Sequence, residues 1–380
     1  MLTSDTRILT THSGSLPRPP RLADLHGMRS RHEEVDPEEL RVAIAEATGA
    51  VVAAQAQSGI DIGNDGEQAR ESFFTYVQHR MTGFGGRSQR PLMRDLLDHP
   101  DYIELALPRF ARMKVDLMGA PAAEAEVTYR DTTEVAAECD LIEGAPFAET
   151  FMTAASPGII CSAMENRHYP QMGEYVDAVA RSMATEYRYI VDRGLLLQVD
   201  APDLAMERHV LFADRPLGDF LEWVELVIAA MNHALEGIDP SRVRLHVCWG
   251  NYEGPHDLDV PLEDILPIIY QANVGALVVS MANARHAHEH RCFESLPLPD
   301  PMVLVAGVID TTSNYVEHEQ VVADRIERAA RSVGDPRRII AGTDCGFDTS
   351  AGLGDVAPSL VWTKLRALRA GADLATERLF

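Results

Sequence analysis

Apolar residues in this chain gather into short runs that stop at polar or Gly-containing turns, and longer stretches with helical spacing lie between them. Strands are expected within Ile8–Thr11, Gly59–Gly63, Ala148–Gly158, Leu195–Asp203, Arg242–Gly250, Gly275–Asn283, Val303–Asp310 and Arg338–Gly346. Helices are expected over Glu38–Ser58, opened by Asp36 as cap and Pro37 as an early helical residue, and over Met172–Arg193, stopped by Gly194. Two more are expected over Phe220–Glu236 and Pro358–Ala370, and a polar loop runs from the prolines at 17–20 to Pro37. The less regular segment Thr82–Phe147 reads as an insertion outside the main body, with an exposed excursion around Glu124–Arg130.

Eight such runs separated by helical segments predict an α/β chain, a (β/α)8 TIM barrel with an insertion between strands 2 and 3, rather than an open sheet. The whole of 1–380 is read as one domain. Active sites of this fold sit at the C-terminal ends of the strands. Here those ends carry Ser13, Ser15, Glu67, Ser156, Asp200, His246, Cys248, Asn283, Asp310 and Cys345. Phosphate-binding glycine loops are absent, since Gly83-Phe-Gly-Gly86 does not open a helix after a strand.

Composition narrows the function classes. A formal charge of −24 argues against a nucleic-acid partner or an anionic membrane surface, both of which need basic residues. No run of 18 apolar residues occurs, and the first residues lack the basic-then-apolar layout of a signal peptide. Five irregularly spaced cysteines make no disulfide framework, which points to a reducing, cytoplasmic setting.

The densest chemistry lies in Arg242-Val-Arg-Leu-His246-Val-Cys248. On a strand an i, i+2 pair faces one way, roughly 7 Å apart along the chain, so His246 and Cys248 can share one ligand. Imidazole and thiolate together suit zinc, and Cys345, at the end of another apolar run, is the candidate third donor. A lone His-x-Cys is weak evidence, because free cysteines are usually buried as small apolar residues. Cys139, Cys161 and Cys292 are read that way, and the polar strand ends at Glu67 and Asp200 by themselves could be helix caps.

Gly14-Ser15-Leu-Pro17-Arg18-Pro19, Asp65-Gly-Glu67-Gln-Ala-Arg70, Val199-Asp200-Ala-Pro202, His246-Val-Cys248, Ala282-Asn283-Ala-Arg285-His286 and Gly342-Thr-Asp344-Cys345-Gly346 together resemble the zinc-bearing C-terminal barrel of cobalamin-independent methionine synthase. The resemblance implies Zn²⁺ on His246, Cys248 and Cys345, activating a thiol for alkylation. It also implies that Ser15, Glu67, Asp200 and Asn283 bind the substrate, the two acids holding its amino group. The partners implied are a small-molecule thiol such as homocysteine and an alkyl donor, and a homo-oligomer is left open. Two positions depart from the family pattern. Ser280 stands where the family has a fourth ligand, a Glu, and Thr312 stands where it has an acid-donating His. The alternatives are an epoxyalkane–coenzyme M transferase, which uses a similar ligand set, and a metal-free barrel related to uroporphyrinogen decarboxylase.

Overall fold

The computed structural model describes residues 1–117 and 119–380. Its strands are β1 (Leu9–Thr10), β2 (Ile62–Gly63), β3 (Met81–Gly85), β4 (Ala122–Tyr129), β5 (Glu149–Ala155), β6 (Leu196–Asp200), β7 (Val243–Val247), β8 (Ala276–Val279), β9 (Val303–Ile309) and β10 (Ile339–Thr343). Eight of them form one parallel sheet in the order β1-β10-β9-β8-β7-β6-β5-β2. A bridge from Thr11 to Ile62 then joins β1 to β2 and closes the ring. This is the expected (β/α)8 barrel, built from the eight expected runs.

The period-two pattern explains the packing. Val243, Leu245 and Val247 of β7 join the core beneath the surrounding helices, and Leu197 and Val199 of β6 do the same. The alternate residues Arg244 and His246, and Gln198 and Asp200, face the barrel axis. There Arg244 donates to Gln198 Oε1 at 2.7 Å, Thr11 Oγ1 at 3.1 Å and the His12 carbonyl at 2.9 Å, and lies 3.6 Å over the Phe151 ring. A small apolar layer that includes Leu9, Ile62, Phe151, Leu196, Val278 and Ile340 also lies inside the ring.

The helices Pro37–Gln57 and Met172–Asp192 fall within one residue of expectation, the first capped by the Asp36 side chain on the Glu38 N–H. Three elements differ. Pro20–Ser30 is a helix rather than loop, because proline at the first helical position has its fixed φ and missing N–H in the one place where neither costs anything. The last helix continues to Leu379, since Gly371 lets it approach Val322 more closely than a β-carbon would allow. The segment Glu124–Arg130 is mostly strand. β4 pairs antiparallel with β3, and its Val127 is buried.

The insertion is tied to the barrel by a buried ionic network. Glu138 pairs with Arg70 at 2.8 Å and with Arg80, and Arg80 reaches Glu186 at 3.1 Å. Tyr76 and Tyr129 each donate to Glu186 at 2.6 Å. Burial pushes the Glu138 carboxyl up, but the two guanidinium groups outweigh it and hold its pKa at about 2. Glu138→Ala leaves two buried guanidinium groups short of a partner, and is expected to cost about 3–5 kcal/mol in urea unfolding. A change under about 1 kcal/mol would show that the network is solvated and weak.

Candidate active site

Seven polar residues from strand ends meet in one cavity of about 420 Å³ at the C-terminal mouth of the barrel: Ser13, Ser15, Glu67, Asp200, His246, Cys248 and Cys345. β7 delivers His246 at its end and Cys248 just beyond, and the turn after β10 delivers Cys345. One donor atom from each lies within 4.8 Å of the others, and the two Sγ atoms are 4.0 Å apart. Tetrahedral zinc with sulfur at about 2.3 Å would place two thiolates about 3.8 Å apart, close to the observed sulfur–sulfur spacing. Asp200 Oδ1 lies 3.1 Å from His246 Nδ1, the arrangement in which a carboxylate orients a ligating imidazole. Burial opposes a charge on His246, but the adjacent Cys248 and Asp200 raise its pKa to about 10. The Cys248 thiol is drawn well below its ordinary value by the hydrogen bond from Cys345 and by His246. The Cys345 thiol, which donates that bond, is pushed well above its ordinary value, so the cluster favours one thiolate, on Cys248.

Glu67 is built into the site at some cost. Its backbone is left-handed, with φ 56°, and Gly14 at φ 129° leaves room for its carboxylate, which a β-carbon there would meet at 2.6 Å. Oε1 accepts from Thr153 Oγ1 at 3.1 Å, while the buried Oε2 has no hydrogen-bond partner among the described residues. Burial, and then the charge of Asp200, raise the Glu67 pKa to about 8. The folded chain therefore keeps a proton that the unfolded chain releases near pH 4.5, so its stability falls as pH rises from there through about 8 and levels beyond. Urea midpoints of Glu67→Gln relative to the parent should rise across that window. A difference independent of pH would mean that Glu67 is ionised throughout.

Asn283 sits apart from this group. β8 stops at Val279, and the following turn places Ser280 and Asn283, with Asp310, Thr311 and Thr312, around a second cavity of about 400 Å³ that also reaches Cys345. Asn283 donates from both its backbone and its side chain to Asp344 Oδ2, at 2.8 and 2.9 Å, and the Met281 and Ala282 N–H groups donate to Asp344 Oδ1 at 2.8 Å. Ser280 Oγ donates to the Asp344 carbonyl at 2.7 Å. Asp344, the residue before Cys345, thereby latches two strand ends together. Ser156 caps the helix Pro157–Ala163 and donates to Asp203 Oδ1 at 2.5 Å.

The insertion also reaches the site, which the reading of it as outside the barrel missed. Leu92, Met93, Leu96, Ile103, Leu107 and Leu117 wall the larger cavity on its apolar side. Arg90 and Arg109 border it too, but each is paired, with Glu207 and Asp355. The missed signal was the apolar content of this segment, which no exposed loop needs.

Fold and site together define a barrel with a His-Cys-Cys cluster at the mouth and buried carboxylates beside it. No family model matches the chain. It is 24% identical over 344 residues to a methionine synthase of Sulfolobus acidocaldarius, covering 90% of this chain and 86% of that one. It is 24% identical over 374 residues to the 2-hydroxypropyl-CoM lyase of Xanthobacter autotrophicus, covering 90% of each. The structure of a B12-independent methionine synthase from a Shewanella species superposes with a TM-score of 0.74 at 20% identity, over 98% of this chain and 99% of that one. The resemblance to the cobalamin-independent methionine synthases and to their coenzyme M-using relative thus extends along nearly the whole chain. Among the described residues no helix is long and apolar enough to cross a membrane.

Proposed function

We propose that this chain, acting as a single domain over 1–380, is a zinc-dependent enzyme that transfers a methyl or other alkyl group to a thiol, with homocysteine or a similar amino-acid thiol as acceptor. The observation that carries the reading is that one cavity holds both the His246-Cys248-Cys345 cluster and the Glu67 carboxylate, whose Oε2 has no partner among the described residues, with Asp200. His246, Cys248 and Cys345 would hold Zn²⁺, which supplies a cation that keeps a bound thiol deprotonated near neutral pH while leaving a fourth position for it. Glu67 and Asp200 would grip the substrate ammonium, and Ser15, on the turn Gly346 packs against, would hold its carboxylate end. Asp200 also orients His246. Asn283 positions the Cys345 turn through Asp344. The apolar wall from the insertion keeps water from the thiolate. Five free, buried cysteines suit a reducing, cytoplasmic setting.

The methionine synthase relatives support thiol methylation, and the 2-hydroxypropyl-CoM lyase relative supports a second reading in which an epoxide is opened by coenzyme M. Ser280 in place of a carboxylate and the apolar wall favour that second donor class. Against its acceptor stand Glu67 and Asp200, which would repel a sulfonate, and the pairing of both bordering arginines.

The reading is tested by X-ray absorption at the metal edge. Homocysteine should add one sulfur to the two supplied by the protein, and homoserine, which lacks the sulfur, should leave the spectrum unchanged. Homocysteine that binds without a third sulfur would place the thiol elsewhere and end the proposal.

A further inference from the structure

A second buried cluster lies behind the loop that follows Cys248. Asp259 is surrounded by three imidazoles. Its Oδ2 is 2.8 Å from both His256 Nδ1 and His286 Nε2, and its Oδ1 is 3.0 Å from His209 Nδ1. His256 takes a left-handed backbone, φ 54°, to face it. His209 Nδ1 and Asp259 Oδ1 are buried, not aligned as a hydrogen bond, and otherwise without a partner among the described residues.

The outer nitrogens also face acceptors or a committed donor. His256 Nε2 is 3.0 Å from the Tyr252 carbonyl, and His286 Nδ1 is 3.7 Å from Glu289 Oε1. His209 Nε2 is 3.4 Å from the Tyr252 hydroxyl, which already donates to Asp95 at 2.5 Å. A neutral imidazole has one N–H and cannot serve acceptors on both sides. The conflict disappears if the inner lone pairs point at a cation, since each outer N–H is then free to donate outward, as it does in metal sites. Charge agrees. Asp95, Asp259 and Glu289 are buried, and none pairs with Lys or Arg among the described residues. Buried carboxylates without such partners need compensation.

We propose that His256, Asp259 and His286, with His209 as fourth donor, bind a second divalent metal ion. Imidazole and carboxylate donors without thiolate suit Zn²⁺ or another first-row divalent cation. His256, Asp259 and His286 offer donor atoms within 4.8 Å of one another, and His209, 3.0 Å from Asp259, stands beside them as the residue that would close the site and make it structural. Trp249 stacks on His286 with ring centroids 3.7 Å apart, and Gly250, Asn251 and Tyr252 of the same loop line both mouth cavities. The ion would therefore fix the partition between the two cavities, whatever reaction the first site performs.

Cobalt titration of the whole chain separates the two sites. The parent should bind two equivalents of Co²⁺. The double variant Cys248→Ser, Cys345→Ser should keep one, with ligand-field absorption but no thiolate-to-cobalt charge-transfer band. Asp259→Asn in that background should lose it, and His286→Gln serves if the aspartate variant does not fold. One equivalent in the parent and none in the cysteine variant would overturn the proposal and leave a cluster of protonated histidines. So would an equivalent that persists through the Asp259 and His286 substitutions.

Discussion

Cys248→Ser should lose thiol alkylation by about 10²- to 10⁴-fold, because metal stabilisation of developing charge is worth several kcal/mol and each 1.4 kcal/mol is tenfold. The serine hydroxyl is a poor zinc ligand and, unlike the thiolate, carries no charge near pH 7, so the site gains a net positive charge and a weaker hold on its ion. The loss should appear together with one fewer sulfur in the X-ray absorption spectrum and weaker metal retention under a chelator. The circular dichroism spectrum should barely change, since Cys248 lies past the end of β7 and is isosteric with serine. A fully active, metal-free Cys248→Ser protein would remove metal chemistry from the reaction altogether.

If the site holds zinc and alkylates a thiol, as proposed, Ser280 bears on the donor. One neutral imidazole, two thiolates and Zn²⁺ sum to zero, whereas a fourth carboxylate ligand would make the centre negative. Ser280 instead donates to the Asp344 carbonyl behind Cys345. A neutral centre is the more Lewis-acidic, and a thiol held there gives a less basic, less nucleophilic thiolate. That suits an electrophile more reactive than methylfolate. The apolar wall of Met93, Leu96, Ile103 and Leu107 faces the larger cavity, where among the described residues both bordering arginines, Arg90 and Arg109, are already paired and so poorly placed for a folate-like polyanion.

Much of this arrangement was legible in the sequence, because barrel strands must be short, apolar and polar-ended. Period-two alternation placed His246 and Cys248 on one face without reference to any other residue, and β7 indeed turns Arg244 and His246 inward. Helix starts marked by a cap and proline were legible for the same local reason at Asp36-Pro37. Contacts that depend on loop path were not. The wall from Arg90 to Leu117 has no clean period, so its apolar residues point to no face until the barrel mouth supplies one. Asn283 was read as a strand-end residue that binds substrate; β8 ends four residues earlier, and the turn gives its amide to Asp344. Asp259 escaped notice because its three histidines come from separate segments, with only the His256-x-x-Asp259 spacing local.

Glu67→Gln should weaken use of an amino-acid thiol by about 10- to 100-fold, with the effect mainly on KM. A charge-assisted hydrogen bond from a substrate ammonium to Glu67 is worth roughly 1.5–3 kcal/mol, and 1.4 kcal/mol is a factor of ten. Glu67 lines the cavity, and its Oε2 has no hydrogen-bond partner among the described residues, so its lone pairs are uncommitted. Because burial and Asp200 raise the Glu67 pKa to about 8, ammonium binding must displace its proton below that pH. The parent KM for homocysteine should then fall roughly tenfold per pH unit as pH approaches 8, and Glu67→Gln should flatten that slope. A sulfonate thiol should respond in the opposite sense, unaffected or bound more tightly, since removing a nearby carboxylate relieves repulsion. Thiol consumption measured with homocysteine and with coenzyme M, each offered a methylfolate and an epoxide, for parent and variant, separates the cases. Preference of the parent for coenzyme M with an epoxide, combined with unchanged homocysteine turnover in Glu67→Gln, would put the epoxide reading in place of methyl transfer.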